Sequence, residues 1–242
     1  MTERSQRARA PSTSLRAQRR EQQILDAAAE VFFRKGYAAA NVEDVADIVG
    51  MLKGSLYYYF DSKEDLLYRI IKSIHRKAAQ TLVECDAVKG TPLERLGYFV
   101  RLHIRQLTIN LSYTRVFYTE FAHLSGDRYS EIVGDRRSYE AYLQRLIVAG
   151  QQEREFCCER DAHLSTMAIL TLVNSVHLWF RLTGPTTVEA LSEEYALFTI
   201  AGLRCDGDRP CTCDRSRVPH VSTSGRRRAE PRRQAVLQRS ET

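Results

Sequence analysis

The sequence predicts an all-α protein, with an N-terminal three-helix helix-turn-helix domain and a larger C-terminal helical domain. Three observations lead there. Apolar residues recur at helical spacing in segment after segment of the 242-residue chain. Helix caps and glycine or proline stops fall between those segments. No stretch of useful length alternates apolar and polar residues as a strand would, and no internal repeat breaks the pattern.

Taken in order, residues 1–17 are rich in Arg and Ser and read as a disordered basic arm. A first helix is expected from about Arg19 to Lys35, with Ile24, Leu25, Ala28, Val31 and Phe32 inward and Gly36 as its stop. Asn41 then stands as an N-cap with Asp44 three residues on, before Val42, Val45, Ala46 and Val49 form one apolar face. Gly50 gives the backbone freedom that a sharp stop needs. A second short helix starts near Leu52 or Lys53, with Leu56 and Phe60 on its buried side. Ser62 caps the fourth helix with Asp65 at N3, and Leu66, Leu67, Ile70, Ile71 and Ile74 make its stripe through to about Glu84.

Residues 87–92 break the chain. Thr91 caps the next helix, with Pro92 at N1 and Glu94 at N3. Helical segments then follow at about 92–110, 112–124, 128–152, 161–182 and 187–203. Residues 205–242, rich in Arg, Ser, Pro and Asp, read as a disordered basic tail.

With Leu56 and Phe60 inward, the 100° step per residue turns Gly54 and Tyr58 away from the core. Lys53 and Tyr57 fall on one flank and Ser55 on the other. Lysine and serine reach guanine edges or phosphates, glycine lets backbones approach, and tyrosine hydroxyls suit phosphate oxygens. Lys63 sits beside the free N–H groups of a helix start, where an anion is welcome. This is the chemistry of a helix-turn-helix laid in the major groove of double-stranded DNA. The contrary reading, two turns of an ordinary helical core, leaves outward tyrosines without a task.

Charge agrees. The chain carries +6 with a pI near 9.0, concentrated in the arm and tail, while acids slightly outnumber bases from residue 92 to 203. Positive charge beside a helix-turn-helix favours a polyanion and salt-sensitive binding. No run of about 18 apolar residues predicts a membrane span, and no apolar h-region predicts a secretory signal, so a cytoplasmic location is expected. The six cysteines do not spell a disulfide framework and are expected to stay reduced. Cys205, Cys211, Cys213 and His220 lack the paired spacing of a zinc site, and neither metal nor cofactor is expected. Neither HExxH nor GxSxG occurs, which argues against an enzyme.

The residues Ile24-Leu25-Asp26-Ala27-Ala28, Phe32, Gly36-Tyr37, Val45-Ala46, Lys53 through Phe60 and Ser62-Lys63-Glu64-Asp65-Leu66 resemble the DNA-binding domain of the TetR family of bacterial repressors. Leu52 departs from the serine usual there, Asn41 from threonine and Tyr59 from a frequent histidine. The resemblance implies a DNA-binding domain over 18–78, its helix-turn-helix at 41–60, and a ligand-binding and dimerisation domain over 79–204. The expected DNA contacts are Asn41, Lys53, Gly54, Ser55, Tyr57, Tyr58, Tyr59 and Lys63, with Lys53 and Ser55 as base readers. The resemblance also implies a homodimer, joined through the last two helices as a four-helix interface.

Within the family the second domain resembles repressors that answer to acyl-CoA thioesters from lipid and steroid breakdown. Thr91 through Leu96, Asn174 through Arg181, Gly184-Pro185 and Glu194-Tyr195 carry this. The aromatic second domain reads either as a packed core with rim tyrosines or as a cavity for a small hydrophobic or acyl-CoA effector. For the cavity the expected residues are Phe99, Arg101, His103, Phe117, Phe121, Tyr142, His177 and Trp179. The expected function is a repressor released from its operator by such a ligand. Its rivals are a ligand-independent regulator or activator, and a helical enzyme acting on a lipid-like substrate.

Overall fold

The structure is a computed structural model that describes residues 11–204, with side chains from residue 15. Every regular element among those residues is a helix, without a strand. They form α1 (Pro11–Lys35), α2 (Val42–Val49), α3 (Lys53–Leu56), α4 (Lys63–Ala87), α5 (Pro92–Ile109) and α6 (Leu111–Glu120). A 3₁₀ turn (Phe121–His123) follows, then α7 (Gly126–Gln152), α8 (Ala162–Asn174), α9 (Val176–Trp179) and α10 (Val188–Leu203). The tail over 205–242 and the first ten residues of the arm lie outside the described residues.

Three expectations are corrected. The first helix begins at Pro11, not near Arg19, so residues 11–17 are helix and not disordered arm. Proline suits a first helical turn, and the Leu, Arg, Ala and Gln residues that follow favour helix. The single helix expected over 161–182 is broken: α8 stops at Asn174 and α9 makes one further turn. There Ser175 Oγ donates to the Leu172 carbonyl at 2.7 Å, a side chain competing for helical backbone groups. Cys158, expected as a thiol, is disulfide-bonded.

The caps form as their residue types require. Gly50 takes φ +64°, and the N–H of Met51 returns to the Ala46 carbonyl at 3.0 Å. Thr91 Oγ1 accepts from the Glu94 N–H while Glu94 Oε2 accepts from the Thr91 N–H at 2.9 Å. Two cores result. One joins α1–α4 (Ile24, Phe32, Val45, Leu56, Phe60, Leu67, Ile71) to Tyr113, Val116 and Phe117 of α6 and Ile132 of α7. The other joins Cys85 at the far end of α4 to α5, α7, α8 and α10. Thus α4 runs through both cores, and burial pushes its Cys85 thiol up to about 12.

Gly150 of α7 marks how tightly the second core is packed. A Cβ built there would sit 2.2 Å from the ring of Phe156, which is itself buried. Gly150→Ala is expected to cost roughly 2–3 kcal/mol, lowering Tm by roughly 5–10 °C at matched protein concentration. Gly134→Ala, in the same helix with open space around it, serves as the control and is expected to be neutral or slightly stabilising. Equal melting of the two variants would refute the packing argument.

Candidate functional site

The first candidate site is the surface that α3 presents. Leu56 is fully buried and Phe60 nearly so, and these two side chains clamp α3 to α1, α2 and α4. With that face fixed, Lys53, Gly54 and Ser55 are exposed, Tyr57 is half exposed, Tyr58 is 86% exposed, and Tyr59 is intermediate. The helix is a single turn, not the two turns expected to Phe60. Leu52 at its N-cap offers no side-chain acceptor, and Tyr57–Tyr59 continue it as a turn. The tyrosines remain projected because that turn holds Phe60 inward through its N–H to the Leu56 carbonyl at 3.4 Å.

Each expected DNA contact has a definite place. Asn41 is exposed at the N-cap of α2, its N–H donating to Asp44 Oδ2 at 2.9 Å. Lys53 Nζ is ion-paired with Glu43 of α2, which raises the lysine's pKa and lowers the carboxylate's. Lys63, in the first turn of α4, lies 4.4 Å over the ring of Tyr37 and donates to the Ala38 carbonyl at 3.4 Å. Gly54 has nothing within 4 Å of where a Cβ would be and has no positive φ. Nothing inside the chain therefore requires glycine at this position, and the space it leaves faces outward.

Sequence reasoning left one part of this surface without assigned contacts. Arg16, Arg19, Arg20 and Gln23 of α1 share a concave surface with Tyr59. Arg20 is tied down, donating to the Val49 carbonyl at 3.0 Å. Arg16 and Arg19 are exposed, with no carboxylate at ion-pair distance among the described residues. The signal was present in the basic run at the start of α1, but it became readable only once that run proved helical.

The start of α4 is locked to the rest of the molecule. Asp65 is 4% exposed and accepts from Arg69 at 2.9 Å and from Arg128 of α7 at 2.8 Å. Lys72 pairs with Glu131 and Asp135 of α7 at 2.7 and 2.6 Å. Tyr113 of α6 donates to Asp26 of α1 at 2.8 Å, and burial, together with that carboxylate, raises the phenol's pKa.

The second candidate site is a cavity of about 200 Å³ between α4, α5, α6, α7 and α8. Of the eight residues expected to line it, His103 and Phe117 do so. The other six are corrected. Phe99 lies behind the wall, its ring between those of Tyr139 and Tyr142. Tyr142 faces Arg95 at 3.2 Å. Arg101 turns outward to Glu193 of α10, 2.9 Å between Nη2 and Oε1, because a carboxylate waits there. Phe121 stacks on Tyr129 at 4.9 Å. His177 stacks on Tyr118 at 4.3 Å, one layer from the cavity. Trp179 is 47% exposed, carried outward by the break before α9.

The wall instead includes His75, Lys77, Tyr118, Arg136, Tyr139 and Asn174. His103 bridges the Tyr139 hydroxyl at 2.7 Å and Asn174 Oδ1 at 2.9 Å, and burial lowers its pKa to about 4. His75 could have been found in the sequence, because it follows Ile71 by one helical turn on the inward face of α4. Among the described residues, no group of three His, Cys, Asp or Glu side chains is placed to hold a metal. No helix there is long and apolar enough to cross a membrane.

Comparison with known proteins agrees with this anatomy. Residues 24–70 match the family described as "Bacterial regulatory proteins, tetR family", and residues 89–203 match "Tetracyclin repressor-like, C-terminal domain". The HTH-type transcriptional repressor KstR2 of Rhodococcus jostii is 26% identical over 185 residues, which span 76% of this chain and 91% of that protein. The crystal structure of the TetR family transcriptional regulator PfmR from Thermus thermophilus aligns with a TM-score of 0.69 at 29% identity, covering 75% of this chain and 99% of that one. That of AibR in complex with isovaleryl coenzyme A and operator DNA shares the fold, with a TM-score of 0.66 at 23% identity over 76% of this chain and 97% of that one.

Proposed function

The chain belongs to the TetR family of bacterial regulatory proteins, and on that premise we propose a homodimeric transcriptional repressor that leaves its operator when a small hydrophobic or acyl-CoA effector binds. The observation that carries this reading is α4, which begins three residues after Phe60 and forms a wall of the cavity through Ile74, His75 and Ala78. An occupant that moves α4 moves the start of the recognition surface with it. Release requires the effector to bind the DNA-free conformation more tightly, since equal affinity for both shifts nothing.

Asn41, Lys53, Gly54, Ser55, Tyr57, Tyr58, Tyr59 and Lys63 are the proposed DNA contacts. Lys53 and Ser55 read bases, while the tyrosines, Asn41 and Lys63 set register on phosphates. Lys53 exchanges Glu43 for DNA on docking. The dimer forms through the outer faces of the last helices and the turn after α9, where Leu164, Leu178, Trp179, Leu182, Leu197 and Phe198 are exposed, the kind of apolar surface that marks an interaction face. A two-fold pair of recognition surfaces then meets half-sites about one helical turn apart or somewhat more. The protein acts in the cytoplasm, and the role calls for no turnover, metal or cofactor.

AibR, crystallised with isovaleryl-CoA and operator DNA, supports the acyl-CoA class of effector. The test is operator retention by the full-length protein across short and branched acyl-CoA esters and free hydrophobic molecules. At least one is expected to lower operator affinity by about tenfold or more, a coupling of the usual allosteric size. Unchanged affinity across the whole panel would leave a ligand-independent regulator.

A further inference from the structure

We propose that the cavity takes a compact effector end bearing one uncharged oxygen, a hydroxyl or carbonyl on an apolar body, and that His75 of α4 is the residue that reads that oxygen. This rests on the effector-responsive reading above and narrows it to a chemical class.

His75 is 8% exposed, and its Nε2 is closed off from solvent without a hydrogen-bond partner. A buried polar atom left unmet is costly and uncommon. Three other polar side chains of the same wall are already met. Thr81 Oγ1 donates to the Lys77 carbonyl at 3.1 Å, Thr114 Oγ1 donates to the Leu107 carbonyl at 3.0 Å, and His103 is bonded at both ring nitrogens. Phe117 meets the His75 ring edge-on at 5.0 Å, holding its plane.

Burial keeps the imidazole neutral, lowering its pKa to about 4; Asp135 on α7 opposes this, while Lys72 on its own helix and Arg136 on α7 reinforce it. A neutral imidazole in an apolar wall matches a neutral oxygen, whereas a carboxylate brought beside it would lose its hydration without a charge in return. Size sets the second limit. At about 200 Å³ the cavity is below the usual range of roughly 300–1,000 Å³ for drug-sized ligands, so only a compact end enters. Lys77 and Arg136, both exposed wall residues, have no carboxylate at ion-pair distance among the described residues. They remain to meet an anionic remainder outside.

The test uses the full-length protein labelled with ¹⁵N-histidine, titrated with cyclohexanol and with methylcyclohexane, near-isosteres that exchange a hydroxyl for a methyl. Cyclohexanol is expected to shift the His75 ring resonances and to bind roughly tenfold tighter than methylcyclohexane, the equivalent of one hydrogen bond. His75→Phe keeps the ring's shape and should erase or reverse that preference while still binding methylcyclohexane. His75→Gln, which restores a polar group, should recover part of it. Equal affinities in the wild type, a preference that survives in His75→Phe, or binding of neither molecule would overturn the proposal. Operator release measured on the same samples separates the two levels. A CoA ester that releases DNA equally well from wild type and His75→Phe removes His75 from the site but leaves the effector reading standing. Failure of every ester, with the cyclohexanol preference intact, supports the site and counts against the acyl-CoA class.

Discussion

Combining Lys53→Ala with Tyr58→Ala is expected to lower operator affinity by about two orders of magnitude at physiological salt, each change contributing roughly tenfold, while the protein stays folded and dimeric. Both side chains stand on a face that the fold does not use. Tyr58 is 86% exposed, and Lys53 is ion-paired with Glu43, itself on the surface. What holds α3 in place is Leu56 and Phe60 beneath, and neither is altered. Surface ion pairs contribute little to folding, so circular dichroism and Tm should barely change. Loss of Lys53 should also flatten the dependence of log affinity on log salt, because one fewer cation enters the field of the phosphates. Removing the Tyr58 hydroxyl should weaken binding more evenly across operator sequences, as a register contact does. Gel shifts across a salt series measure both effects. Unchanged affinity in the double variant would take α3 out of the groove.

Asp65→Ala is expected to destabilise the fold by roughly 2–3 kcal/mol and to weaken operator binding with it. Breaking a buried ion pair usually costs about 3–5 kcal/mol. Here the partners, Arg69 and Arg128, are about a third exposed, so part of their charge is returned to water and the smaller figure applies. The carboxylate also accepts from the Asp61 N–H at 3.3 Å, which ties the turn after Phe60 to the first turn of α4. Without it, the recognition surface loses its attachment to α7. Asp65→Asn keeps an acceptor but no charge and should fall between the two. Urea denaturation at fixed protein concentration decides this, and a change below about half a kcal/mol in Asp65→Ala, the size of an ordinary surface substitution, would show that the buried carboxylate does not hold these elements together.

The two sites differ in how far the chain's order of residues foretold them. The α3 surface was legible because it is local. Leu56 and Phe60 are one helical turn apart, so assigning them inward assigns every intervening side chain outward. The cavity was not legible in the same way. Phe99 and Tyr142 are aromatic and inward, yet they pack on each other and on Arg95 without opening to the space His103 faces. Arg101 sits two residues from His103 and points the other way, because Glu193, far along the chain, supplies its partner. Trp179 was misplaced by a helix break, set by the side-chain bond of Ser175, that periodicity alone passes over.

The order of residues by itself determined the helical class, the caps at Thr91 and Ser62, the stop at Gly50, and which face of α3 meets solvent. All of these depend on groups within a turn or two of one another along the backbone. Only the tertiary structure decided that α4 spans both cores, that Asp65 is bracketed by two arginines, and that His75 rather than Trp179 looks into the cavity. Those facts depend on how helices far apart in sequence cross and where they break, and at such crossings the nearest partner of a side chain comes from another segment of the chain.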